Sequence, residues 1–199
     1  MVEYDASKMS MPDWVTIGGK IQHAAHNAIK AFKTQFDEEL IRAFAFDVDR
    51  DHVGFCFDTP ENYQRELEFI KDHARGGLLE CVGCFRYQAM NEKIYHVIGL
   101  WDTDTVCEKS LRPVFDDLQA ARNSQNYMNY DALNRVVGEY NRRETAEYSK
   151  LLGDVLDILI SDNAFSSLKV TDDFFLGFQH HDDRYFTIRA RLQNSKWVH

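Results

Sequence analysis

The stretch Ile41-Arg42-Ala43-Phe44-Ala45-Phe46-Asp47-Val48, followed by Asp49-Arg50-Asp51-His52 and then Val53-Gly54-Phe55-Cys56-Phe57, decides the fold. Phe44, Phe46 and Val48 alternate with Ala and Asp, the period-two signature of a half-buried strand. The four residues after Val48 carry turn chemistry, and the apolar run behind them reads as the returning strand of a β-hairpin. Thr59-Pro60-Glu61 then forms a helix start. It offers a hydroxyl for an orphan N–H, a ring preset for the first helical position, and a carboxylate at the positive end of the dipole. Tyr63, Leu67, Ile70 and Ala74 recur on one face of that helix, and Gly76-Gly77 stops it.

Upstream, Ile17, Ile21, Ala25, Ala28, Phe32 and Phe36 recur at three- and four-residue steps, which predicts a helix from about Thr16 to Phe36. Downstream, residues 79–87 and 94–101 read as a second pair of strands, with Asn91-Glu92 in the turn between them. From Glu108 to Asp162 the pattern is helical. Leu111, Phe115 and Leu118 form one stripe, Leu133, Val136, Val137 and Tyr140 a second, and Tyr148, Leu152, Val155 and Leu159 a third. Asn123-Ser124-Gln125-Asn126 is the internal loop, and Asn163 lies where the last long helix should end. The tail returns to strand character. Phe174 to Gln179 is apolar, and Phe186, Ile188, Ala190 and Leu192 alternate with polar residues. His180-His181-Asp182-Asp183 supplies the turn, a short helix from Asp183 being the competing reading. Hairpins followed by packed helices predict an α+β fold: antiparallel β-hairpins forming a sheet packed by several helices. No linker or repeat divides the chain, so a single domain over residues 1–199 is expected, with 1–15 as a loosely ordered N-terminal arm.

Composition narrows the functional classes. The 199 residues are 44% hydrophobic and 28% charged, as in a globular protein with a sizeable core. There are 32 acidic against 23 basic residues, a net charge of −9. That field repels phosphate backbones, which disfavours nucleic acid, and attracts a basic protein partner. No apolar run approaches the roughly 18 residues of a membrane span, and the N-terminal stretch has no apolar region of a secretory signal. Four cysteines are too few for a disulfide scaffold, so a reducing, cytoplasmic location is expected.

Three local patterns could carry chemistry. Cys81-Val82-Gly83-Cys84 has the spacing of a zinc-chelating or redox pair. Zinc would need two further ligands from scattered positions. On a regular strand Cys81 and Cys84 point to opposite faces, so the plainer reading is buried or idle thiols. Asp47-Val48-Asp49-Arg50-Asp51 spaces carboxylates like the opening of a calcium loop, but His52 stands at the sixth position where glycine is needed and the flanks are strands. His180-His181-Asp182-Asp183 could donate ligands only from a tight turn. Nucleophile elbows, phosphate-binding glycine loops and H-E-x-x-H are all absent from the sequence.

Taken together, the N-terminal helix leading into Arg42-Ala43-Phe44-Ala45-Phe46-Asp47, the strand and capped helix of Val53 to Glu61, and the C-terminal Asp182-Asp183 followed by Leu192-Gln193-Asn194 resemble a bacterial family of uncharacterised small proteins. Some of that family are encoded beside polymorphic toxins and regarded as immunity-like. The resemblance covers about a third of the chain and implies no catalytic residue. The expectation is a non-catalytic, cytoplasmic protein-binding module, of which an immunity protein neutralising a basic toxin is one form. No cofactor is expected on this reading. Asp47, Asp49, Asp51, Asp102, Asp104, Asp182 and Asp183 are the candidate partner-binding residues. The competing expectation is a metal-binding module or metal-dependent enzyme holding zinc through Cys81, Cys84 and nearby His or Asp.

Overall fold

The computed structural model describes residues 4–48, 52–73, 85–87, 98–99, 107–180 and 186–199. The fold is α+β. Its helices are α1 (Trp14–Gln35), α2 (Pro60–His73), α3 (Cys107–Asn123) and α4 (Tyr127–Ser161), and its strands are β1 (Leu40–Val48), β2 (His52–Asp58), β3 (Ile98–Gly99), β4 (Lys169–His180), β5 (Thr187–Gln193) and β6 (Lys196–Val198). The chain divides into two compact units, Met1–Ile17 with Trp101–Leu151, and Gly18–Leu100 with Leu152–His199. The boundary falls within α1 and within α4.

The second unit contains one six-stranded sheet in the order β3-β2-β1-β4-β5-β6. The two expected hairpins are present as the antiparallel pairs β1–β2 and β4–β5. They are joined by a pairing that local pattern does not announce: β1 and β4 run parallel, with Phe44 beside Leu176 and Val48 beside His180. The sheet is therefore mixed rather than purely antiparallel, because the helical crossover between the hairpins brings β4 back in the direction of β1. The expected strand pair 79–87 and 94–101 lies mostly outside the described residues. Of what is described, Tyr87 bridges Phe57 and β3 pairs with His52 and Val53, all along β2.

Aromatic side chains fill the sheet's large-residue face. Phe32 of α1 stacks on Phe57 at 4.1 Å between ring centres, Phe44 lies 5.0 Å from Phe57 and 5.3 Å from Phe165, and Phe165 meets Phe174 at 5.4 Å. Each fully buried ring contributes about 1.5–3 kcal/mol of hydrophobic free energy. The alternate positions of the central strands are mostly small: Ala43, Ala45 and Cys56 are all fully buried. At Gly177 the reason for a missing side chain is explicit. A Cβ there would stand 2.3 Å from both the Phe186 ring and the Thr187 carbonyl oxygen.

Helix ends follow their local chemistry. Asp13 caps α1, its carboxylate accepting from the Thr16 N–H at 3.1 Å and the Thr16 hydroxyl at 2.7 Å. Thr59 caps α2, with Asn62 N–H donating to its hydroxyl at 3.2 Å. Beyond α4, Asn163 takes a left-handed φ of 52°, and Ala164 N–H reaches back to the Leu159 carbonyl at 3.0 Å. That bond closes a Schellman-type end.

The first unit is built on α3 and α4. Val114, Leu118, Ala121 and Leu133 form one buried cluster, and Ala6, Leu111 and Tyr140 another. The expected stripe of α3 is rotated: Val114 is fully buried while Phe115 is 46% exposed. Both positions suit the helical period between Leu111 and Leu118, and packing selects Val114. Residues 4–13, including a 3-10 turn at Ala6–Lys8, lie against these helices, with Met9 and Met11 packed on the clusters.

Candidate functional site

Of the residues singled out by sequence, Asp47 is described. It sits half-buried near the end of β1, in register with Gly54 of β2 and Gln179 of β4. Asp49, Asp51, Asp102, Asp104, Asp182 and Asp183 lie outside the described residues, as do Cys81 and Cys84. The strand ends that precede Asp49-Arg50-Asp51 and His181-Asp182-Asp183 in sequence are neighbours. Val48, last residue of β1, pairs with Val53 on one side and with His180, last residue of β4, on the other. Had β1 and β4 been antiparallel, these ends would point in opposite directions. Among the described residues no group of three or more His, Cys, Asp and Glu side chains converges as a metal site. No helix among them is long and apolar enough to cross a membrane.

The densest described polar cluster was not anticipated from sequence. It centres on Asp58 at the junction of β2 and α2, only 2% exposed. Its Oδ2 accepts from Arg42 Nε at 2.7 Å, and its Oδ1 accepts from Asn62 Nδ2 at 2.7 Å and from the Arg86 backbone N–H at 3.2 Å. Arg65 extends the chain of bonds by donating to Asn62 Oδ1. The Arg42 guanidinium carbon lies over the Tyr63 ring, 3.8 Å from its centre, and 5.2 Å from the centre of Phe175, while its Nη2 is buried without a hydrogen-bond partner. A second cation, Arg191, lies 4.8 Å from Phe175. The β1 register shifts between Ile41 and Ala43, which is where Arg42 departs from strict alternation. The signal available in the sequence was a lone arginine in a strand whose one other charged residue is Asp47, and an aspartate that directly precedes the Thr59 helix cap.

This geometry suits cohesion more than acid–base work. Both Asp58 oxygens are occupied by donors, one of them cationic, so the carboxylate is committed to bonds within the fold. The pair ties β1, β2, α2 and residue 86 together. Beside it, Tyr87 donates to Glu39 at 3.0 Å. Burial, reinforced by that hydrogen bond and by the negative charge of Glu39, pushes the Tyr87 hydroxyl up to about 12. Arg86 lies 3.5 Å from Glu39 and 3.4 Å from Glu61, at the exposed margin of the cluster.

Comparison with known proteins yields no matching family model, no matching curated protein and no matching solved structure.

Proposed function

We propose that the protein is a non-catalytic binding module that docks a basic protein, a toxin neutralised by an immunity-like protein being one such partner. The observation that supports this reading is the parallel β1–β4 pairing, which sets Val48, the residue before Asp49-Arg50-Asp51 in sequence, beside His180, which precedes His181-Asp182-Asp183. Negative charge concentrated on one part of a surface steers a cationic partner and raises its association rate. The chain's net charge of −9 and the absence of nucleophile or phosphate-binding motifs support the same reading.

The test uses purified protein and the basic protein it recovers from its native host at low salt. Replacing Asp49, Asp51, Asp182 and Asp183 together by Asn should slow association by about ten- to a hundredfold at low ionic strength and leave unfolding unchanged. Recovery of no stoichiometric partner, or equal association rates for the two forms, would overturn the reading. The toxin version is tested by co-expression with the product of the neighbouring gene, which should be tolerated only in the presence of the unsubstituted protein.

A further inference from the structure

The first unit holds its N-terminal segment in the way a receptor holds a peptide. Residues 4–13 are fixed to α3 and α4 chiefly through their main chain. Arg143 Nη1 donates to three backbone carbonyls, those of Ala6 at 3.3 Å, Ser7 at 2.9 Å and Met9 at 3.2 Å. The Ser10 carbonyl accepts from the Tyr140 hydroxyl at 2.9 Å and from Ser110 Oγ at 3.2 Å. Glu147 orients the guanidinium, accepting Arg143 Nε at 2.9 Å. Side chains add one small buried anchor, Ala6, two pliable ones, Met9 and Met11, and Tyr4, whose hydroxyl donates to Asp117 at 2.9 Å. Main-chain recognition with a few apolar anchors is the general mode by which grooves bind segments of other chains.

Two further observations mark the segment as separable. The start of α1 rests on nothing in the segment before Asp13: Asp13 itself caps the helix, and Trp14 is held to α4 by a 2.6 Å bond to Glu147 and by stacking on Tyr148. Beside Met9 and Met11 lies an open groove of about 680 Å³, also lined by Lys8, Ser10, Lys109 and Ser110, so one flank of the segment borders solvent instead of sealed packing.

We infer that the α3–α4 surface is a peptide-binding groove whose occupant, residues 4–13, can be supplied by a second copy of the chain, giving an arm-exchanged dimer. In the isolated chain the tether at Trp14 keeps the arm at high local concentration and favours the closed monomer. Exchange therefore emerges when one chain's groove is open and another's arm is unclaimed.

Two full-length variants isolate those states. Met9→Asp with Met11→Asp gives an acceptor, with an intact groove and an arm that no longer docks. Arg143→Ala with Tyr140→Phe gives a donor, with an intact arm and a groove stripped of its carbonyl clamp. Native mass spectrometry of the mixture should show a 1:1 heterodimer bound at least about tenfold more tightly than either variant binds itself, competed away by a synthetic peptide of residues 3–13. Hydrogen exchange reports arm release in the acceptor. A released arm with no heterodimer and no peptide binding would overturn the proposal, as would an arm that stays protected in the acceptor, because the segment would then not be exchangeable. Neither outcome bears on the docking of a basic protein proposed above.

Discussion

At the scale of single residues, the second unit leans on a charge taken out of water. Burying Asp58 and Arg42 costs several kcal/mol per ion, recovered only because each meets a good partner. Removing one partner leaves the other stranded. Asp58→Ala should therefore lower stability by about 3–5 kcal/mol, whereas Asp58→Ala combined with Arg42→Met should cost clearly less than the single change. Urea unfolding of both variants decides the point, and equal losses would show that the pair is not coupled. Tyr87 gives a second test, through pH. Its folded-state value near 12 exceeds the ordinary phenol value of 10.0, so the unfolded chain loses this proton first as pH rises. The associated stability is complete below about pH 10 and is lost between about pH 10 and 12. Melting temperature followed across that window should fall less steeply in Tyr87→Phe.

At the scale of elements, Pro113 lies inside α3. It has no N–H to offer the Lys109 carbonyl one turn earlier, and its ring crowds that carbonyl. The Tyr4 hydroxyl proton is shared between Asp117 and the Pro113 carbonyl, the latter at 3.2 Å, a contact that alanine keeps. Pro113→Ala should thus stabilise the protein by about 1–3 kcal/mol, measured as a raised denaturation midpoint, and a lowered midpoint would mean that the ring itself packs usefully. Most elements were legible because their signals are local. The Thr59-Pro60-Glu61 cap, the α1 stripe and the Asn163 stop each lie within a few residues of what they determine. Helix α1 begins at Trp14, two residues before the expected start, because Asp13 rather than a later residue is its cap. The continuous burial of Phe174 to Gln179 marks a strand covered on both faces, a hint of its central place that alternation elsewhere obscured. What could not be read was pairing at a distance. Nothing near Arg42 points to Phe175, and nothing in residues 4–13 points to Arg143, because those partners are chosen by the fold. The acidic residues were easy to pick out, yet that Val48 and His180, which precede two of the acidic stretches in sequence, are neighbours follows only from the direction of β4.

At the scale of the whole molecule, the two hairpins are not independent modules. β1 pairs with β4 along nearly its whole length, from Leu40 beside Lys169 to Val48 beside His180. A fragment of residues 1–161, which contains the complete β1–β2 hairpin, should therefore fail to form the sheet, since the hairpin would expose its aromatic face and an unpaired edge. Amide dispersion for residues 40–58 should collapse in that fragment, and native-like shifts there would show that the parallel pairing is dispensable. The same pairing has a cost during biosynthesis. When Val48 leaves the ribosome, the strand that completes its hydrogen bonds is still roughly 120 residues from being made, a wait of about 6–24 s at ordinary elongation rates. Throughout that interval Phe44, Phe46, Phe55 and Phe57 belong to a nascent chain with an open flank, which makes this hairpin the natural client of a ribosome-associated chaperone and the first place where translational pausing would change the yield of native protein.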